Sequence, residues 1–353
     1  MRRREFLRAA GGLGAAALLA GRGARAWAAG ERKRVTIGGR AARVVDIHAH
    51  CIAPRLAEVL PEAAPPRAVL PGLTLGPERL EVMDARGIDV QALSINQFWW
   101  YTKSRELAQR IVSLHDETLA AWCRAHPDRF VALTSVALQY PDLAADQLEH
   151  AVETLGHRGA SIGGDVNGEP PTSAKFDPFW AKAEALGVPV FMHPNNAEHI
   201  VQPGALGGRG DLGNIIGNPL ETTVFLSHMI FEGTLDRFPK LKVCAAHGGG
   251  FLPSYLGRSD YACERRGAAC ANRRAPHEYF KDQILVDSMV FSAEGLRHLV
   301  AETAPSQVVY GSDLPYEWPD TIDLIAEAPS LGDAEKIAIL GGNLISLLKI
   351  PAA

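Results

Sequence analysis

Five residues combine side chains that bind metals with a placement that would let them meet. They are His48 and His50 in Val45-Asp46-Ile47-His48-Ala49-His50, His193 in Val190-Phe191-Met192-His193-Pro194, His247 in Ala245-Ala246-His247-Gly248, and Asp313 in Tyr310-Gly311-Ser312-Asp313. Each stands where a short apolar, β-prone run gives way to a loop. Residues two apart on a strand point to one face, so His48 and His50 can grip one ion together. One histidine alone is more often an ordinary polar residue. Four strand ends supplying the same chemistry carry the argument. Imidazoles with a carboxylate suit a divalent transition ion, and three His plus one Asp leave a position for water or substrate. Affinity ordering puts Zn²⁺ first and Mn²⁺ second.

Such residues meet only if the strands that carry them lie side by side. Strand-like runs occur at 44–48, 90–95, 131–136, 160–164, 189–193, 242–247, 284–287 and 308–312. Helix-like stretches alternate with them at 104–125, 142–155, 178–186, 219–237, 293–302 and 333–348. Alternation of this kind predicts a parallel sheet covered by helices. Eight units predict closure into a single-domain (β/α)₈ TIM barrel, whose catalytic groups sit at the C-terminal ends of the strands. An open doubly wound sheet would carry a Gly-rich turn after its first strand, where this chain has His48-Ala49-His50. Residues 34–43 read as a small hairpin at the bottom or side of the barrel, and 333–348 supply C-terminal helices.

The chain has 353 residues, 47% hydrophobic and 22% charged, with net charge −4. That composition excludes a disordered protein and leaves no basic footprint for nucleic acid. Residues 1–28 differ from the rest. Arg2-Arg3-Arg4-Glu5-Phe6-Leu7, an Ala/Gly-rich run from Ala9 to Ala20 and small residues around Ala26-Trp27-Ala28 form the three parts of an export signal. The pattern resembles a twin-arginine signal, which predicts use of the twin-arginine export machinery and a periplasmic or secreted enzyme. The apolar run is too short to span a bilayer, so no integral span is expected after signal removal. Residues 1–28 hold six Arg and one Glu, a net of +5, so the domain at 29–353 carries −4 − 5 = −9.

The motifs resemble the amidohydrolase superfamily, in particular the branch typified by aminocarboxymuconate semialdehyde decarboxylase and the hydroxybenzoate decarboxylases. The resemblance runs from Asp46 to about Leu348. It is densest in Glu221-Thr222-Thr223, in Phe231-Glu232-Gly233-Thr234-Leu235-Asp236-Arg237-Phe238-Pro239, in Ala246-His247-Gly248-Gly249-Gly250 and in Gly311-Ser312-Asp313-Leu314-Pro315. It implies that His48, His50, His193 and Asp313 hold the metal and that His247 stands beside the metal-bound water as general base, with Asp313 able to share the proton traffic. Branches with two metals place a Lys at the end of strand four. Here that end reads Ser161-Ile162-Gly163-Gly164-Asp165, so one ion is expected.

Arg258, eleven residues after His247, matches the family's carboxylate-binding arginine, for which a planar guanidinium is suited. The alternative is a helix-surface Arg paired to Asp260 or Glu264. Trp99 and Trp100, with Tyr101, either wall a flat unsaturated substrate or pack the top of the barrel. The resemblance thus implies a metal-dependent non-oxidative decarboxylase of a small unsaturated or aromatic carboxylic acid, acting as a homodimer. The alternatives are a hydrolase or hydratase of an amide or lactone, and a non-catalytic secreted binding protein.

Other residues receive blander readings. His228 is expected to pack inside an apolar helix, and His115, His126, His150, His157, His277 and His298 to lie on the surface. The Gly-rich stretch 195–218, with His199, reads as a lid. Gly248-Gly249-Gly250 reads as a tight turn beside the metal. Cys263 and Cys270, the one close pair among five cysteines, are expected to be thiols, with a bridge in an oxidising compartment as the alternative.

Overall fold

The computed structural model describes residues 32–59, 72–95, 99–195, 197–266 and 269–351. The export-signal segment 1–28 lies outside the described residues. Strands β1 (Thr36–Ile37) and β2 (Arg40–Ala41) pair antiparallel as the expected hairpin. Eight parallel strands follow. They are β3 (Val45–His50), β4 (Val90–Ser94), β5 (Phe130–Ala132), β6 (Ala160–Ile162), β7 (Val190–Met192), β8 (Val243–Ala245), β9 (Ile284–Asp287) and β10 (Val308–Val309).

Ladders run β3-β4-β5 and β6-β7-β8-β9-β10. Two junctions close the ring. Thr134 bridges Ala160 between β5 and β6, while Ala49 bridges Leu314 and the Ile47 amide donates to the Tyr310 carbonyl at 3.2 Å between β3 and the β10 end. The chain is therefore a (β/α)₈ TIM barrel, with every strand but β3 and β9 shorter than its apolar run.

Local sequence accounts for the helices between them. Helix α1 (Pro77–Arg86) has Pro at its first turn and ends at Gly87 in the left-handed region, whose amide returns to the Met83 and Asp84 carbonyls. Residue spacing predicts no helix here, because residues 77–86 are weakly apolar. Helix α2 (Arg105–Ala125) is capped by the Ser104 side chain accepting from the Leu107 amide. Helices α3 (Pro141–Glu153) and α4 (Asp177–Leu186) follow. The stretch expected as one helix at 219–237 is α5 (Asn218–Phe231) and a short turn of helix (Thr234–Arg237), divided at Gly233 with φ +70°. Helix α6 (Leu256–Arg266) was not foreseen, and α7 (Ala293–Thr303) was. The C-terminal stretch is α-helical at Asp333–Ile337 and Asn343–Leu347, with a π turn at Ala338–Gly342 between.

Two apolar layers hold the ring. An inner cluster of Val45, Ile47, Val90, Val131, Phe191 and Leu285 is joined by Leu344, Leu348 and Ile350 of the C-terminal segment. An outer cluster, including Met83, Ile111, Trp180, Phe225 and Tyr279, seats the helices on the strands. Among the described residues no helix is long and apolar enough to cross a membrane.

Three expectations are corrected. Cys263 and Cys270 form a disulfide, with their Cα atoms 5.9 Å apart, within bridging range. His228 does not pack inside α5. It faces the surface and bonds Glu232 at 2.5 Å, because Phe225, Leu226, Met229 and Ile230 occupy the buried face. His115 and His157 are buried rather than superficial.

Candidate active site and metal centre

His48, His50, His193 and Asp313 are all buried, and their ligand atoms lie within 4.8 Å of one another. One ion with bonds of about 2.0–2.2 Å serves a comparable span. The β3–β4 register slips by one residue between Asp46 and Ala49, the interval that contains His48, and irregularities of this kind re-aim side chains. The Nε2 atoms of His48 and His50 face each other at 3.2 Å. Asp313 Oδ1 stands 3.1 Å from His48 Nε2 and 2.7 Å from His50 Nε2.

Two backbone positions carry the cost of that convergence. His247 and Asp313 have φ of +55° and +57°, a region that non-glycine residues rarely adopt and that clusters at functional sites. The turn after His247 depends on glycine, as expected: a Cβ on Gly250, at φ +66°, would lie 2.2 Å from the Pro219 carbonyl oxygen. The His247 ring centroid is 5.3 Å from those of both His48 and His193. Of the four imidazoles His247 alone is partly exposed, so it forms the mouth of the cluster.

Burial and two carboxylates set the charge in the cluster. Burial alone would lower the His48 imidazole, yet the carboxylates of Asp313 and Asp287 hold it up at about 10. Burial would raise Asp313, but His48 and His50 hold it well below the usual carboxylate range. Burial lowers His50, lowers His193 strongly and brings His247 to about 4. Two buried carboxylates thus hold the proton on one imidazole, His48, while the other three resist protonation. The Nδ1 atoms of His50, His193 and His247 are buried without hydrogen-bond partners. A single divalent ion fits this donor set, supplying positive charge while the imidazoles stay neutral.

The residues that hold the ligands were mostly missed from sequence. Asp287, at the end of β9, accepts from His48 Nδ1 at 2.7 Å and from the Gly248 amide at 2.8 Å. It fixes the tautomer that leaves His48 Nε2 free to ligate, and ties that histidine to the His247 turn. Asp46 accepts from the Ser312 hydroxyl at 2.6 Å, the Ser312 amide at 3.0 Å and Gln91 at 2.8 Å. Buried Arg79 of α1 donates to the His50 and Leu314 carbonyls and to Gln91. These bonds lock the β3 end to the β10 end, where two ligands and Asp313 reside. Glu221 accepts from the Gly164 and Asn195 amides, both at 3.0 Å, and so clamps the loops after β6 and β7. The Tyr316 ring meets His50 edge-on at 5.0 Å. A charged residue within an apolar strand was the signal for Asp46 and Asp287; Arg79 gave none.

The three proposed substrate contacts separate. Trp99 stacks on Tyr101 and lies against Gly163 at the end of β6, where a Cβ would come within 2.8 Å of the indole. Trp100 turns toward α2, with its ring 6.2 Å from that of His115. Arg258 is exposed on α6. Its expected alternative partners are engaged elsewhere, Asp260 by His277 and Glu264 by Arg265, and no carboxylate among the described residues pairs with it. Within the 195–218 stretch, His199 meets Asp165 of the β6 end at 3.1 Å.

The chain is similar to several known proteins. Residues 45–350 match the family described as Amidohydrolase. The 2-amino-3-carboxymuconate-6-semialdehyde decarboxylase of Dictyostelium discoideum is 30% identical over 281 residues, 76% of this chain and 75% of that one. The crystal structure of 5-carboxyvanillate decarboxylase from Sphingomonas paucimobilis superposes with a TM-score of 0.79 at 26% identity, covering 88% of this chain and all of that one. A dihydroxybenzoic acid decarboxylase from Polaromonas sp. JS666, solved with bound manganese and an inhibitor, gives 0.76 at 25% identity over 88% of this chain and 98% of that one. With its barrel, its four converging ligands and the span of that match, the chain belongs to the amidohydrolase family.

Proposed function

We propose that the protein is a metal-dependent, non-oxidative decarboxylase of a small aromatic or unsaturated carboxylic acid. The observation that carries the reading is the convergence of His48, His50, His193 and Asp313 on one point with His247 at its mouth. The similar proteins named above support it, since all three are decarboxylases. In the reaction one proton joins the carbon that bears the carboxylate, the C–C bond breaks, its electron pair stays with the carbon skeleton, and CO₂ leaves. A bound divalent ion supplies Lewis acidity at the substrate's oxygens. His48, His50, His193 and Asp313 would hold it. Zinc is proposed first from the imidazole-rich donor set, and manganese second, the ion in the Polaromonas neighbour.

The chain's own groups do the rest. His247 accepts and returns the proton, with Asp313 within reach of the same ring cluster. Trp99, held flat over Gly163, offers a wall for a planar substrate. Arg258 receives a substrate carboxylate. In the homodimer we propose, the face carrying Arg258 and the exposed Tyr255 and Tyr261 is covered. We further propose export through the twin-arginine route and removal of residues 1–28, which the R-R-x-F-L pattern supports.

Headspace CO₂ from a panel of hydroxybenzoates and carboxymuconates, run beside ester and lactone panels, tests the chemistry. CO₂ release with an unreactive ester panel is the expected result; hydrolysis without CO₂ would replace the lyase with a hydrolase. Arg258→Gln should raise KM about 10-fold or more while kcat changes less, and unchanged KM would remove Arg258 from the substrate site.

A further inference from the structure

A cavity of about 810 Å³ opens at the other end of the barrel, under the N-terminal ends of β4 and β5. The hairpin, the α2–β5 turn, the α3–β6 turn and the C-terminal residues Ile350 and Pro351 wall it. Five arginines line it: Arg32, Arg34, Arg43, Arg124 and Arg158. The lining carboxylates are Asp89 and Asp128. In a domain of net charge −9 this is a local reversal of sign.

Ion pairing inside the protein does not absorb that charge. Arg32 pairs with Asp89, which also accepts from the Val44 amide at 2.7 Å, and Arg43 donates to the Pro351 carbonyl at 2.6 Å. Among the described residues Arg34, Arg124 and Arg158 have no carboxylate partner, and Arg158 Nε is buried with no acceptor at all. Cys123, between Arg124 and Arg158, supplies no counter-charge, because burial pushes its thiol up to about 12. Asp128 is the one lining carboxylate besides Asp89, which Arg32 already engages. Like charges held together in a recess repel, and the recess focuses their field on whatever anion enters.

Barrel reactions occur at the C-terminal ends of the strands, so these arginines have no part in the chemistry. The remaining lining is apolar, with Val35, Phe130, Val131 and Ile350 beneath the guanidiniums. Apolar walls with a few convergent charged groups suit an organic molecule rather than a bare ion. We propose that this cavity is a second ligand site, which binds a small organic anion bearing two or more acidic groups, a di- or tricarboxylate or a phosphate ester, against Arg34, Arg124 and Arg158.

The test uses tricarballylate, a tricarboxylate that chelates metals poorly, and inorganic phosphate, each against sodium chloride of equal ionic strength. Binding to the folded state alone should raise Tm by about 2–4 °C at tenfold saturation. Calorimetric titration should give one equivalent per chain. Arg124→Gln/Arg158→Gln should abolish the shift while leaving decarboxylation unchanged, and Arg258→Gln should keep it, which separates this cavity from the active site. Arg34→Gln, an exposed position, weakens binding in the same direction and serves should the double variant fail to fold. A shift with tricarballylate or with phosphate that depends on these arginines establishes the site and says which acid it takes. No shift beyond the chloride control with either probe, or a shift that persists in the arginine variants, overturns it.

Discussion

Two groups of histidines and carboxylates are buried in this barrel. At the strand ends, His48, His50, His193 and Asp313 direct four ligand atoms at one point. On α2, His115 and Asp116 are both buried, and Asp116 lies near His157. There Asp116 accepts from Thr134 at 2.7 Å and stands 3.6 Å from His157 Nε2, and both ring nitrogens of His115 lack partners. Burial perturbs this second group as strongly as the first: Asp116 is raised to about 8, His157 lowered to about 4 and His115 to about 3. The two groups therefore share burial, shifted titration and orphaned nitrogens. They differ in convergence, for among the described residues only the strand-end group gathers three or more ligand atoms. Perturbed titration nominates a site; a common focus decides between nominees.

Substitutions in the first group should have the largest effects. His193→Ala should lose the metal, read by elemental analysis of protein purified without chelator, and lose turnover by more than roughly 10⁴-fold. Near-stoichiometric metal in that variant would dissolve the distinction between the groups. His247→Gln should keep one equivalent of metal yet lose about 10²–10⁴-fold in kcat; if the metal leaves with it, His247 is a ligand. Asp287→Asn should be milder, weakening metal affinity about 10–100-fold by releasing the His48 ring, as measured by chelator competition. His157→Gln, from the second group, should leave metal content and affinity unchanged.

Much of the first group was legible in the sequence, since strand-end placement is a rule of the barrel and its ligands are histidines in short apolar runs. The supports were less so. Arg79 acts from a weakly apolar helix, and its bonds go to backbone carbonyls of His50, Gly72 and Leu314 that no pattern announces. Asp287 is adjacent to His48 only because ring closure leaves β9 and β3 as the two strands on either side of β10. The readings that failed had a common cause. His228, His115 and His157 were placed by the character of their neighbours in the chain, while their burial was set by which helix face met the sheet. The disulfide joins cysteines seven residues apart, a spacing that does not by itself specify whether the two thiols meet.

The smallest effect sharpens the comparison from the second group's side. His115 is fully buried, and burial lowers it from 6.5 to about 3, so the folded state resists the proton that the unfolded chain accepts. Between pH 6.5 and 3 the unfolded state then binds more protons, and stability falls as pH falls. At pH 5 the deficit from this one ring is about 2 kcal/mol, since each unit is worth about 1.4. His115→Leu removes it. His157 also loses stability on acidification, whereas Asp116, raised by burial, gains it as pH falls from about 8; both remain in the variant and cancel in the difference. Urea midpoints at pH 7.5 and 5.0 should therefore show a smaller acid loss in His115→Leu than in the parent, with metal content equal in both. Equal losses would mean that His115 already takes its proton in the folded state, and that water or a rearranged neighbour satisfies its ring.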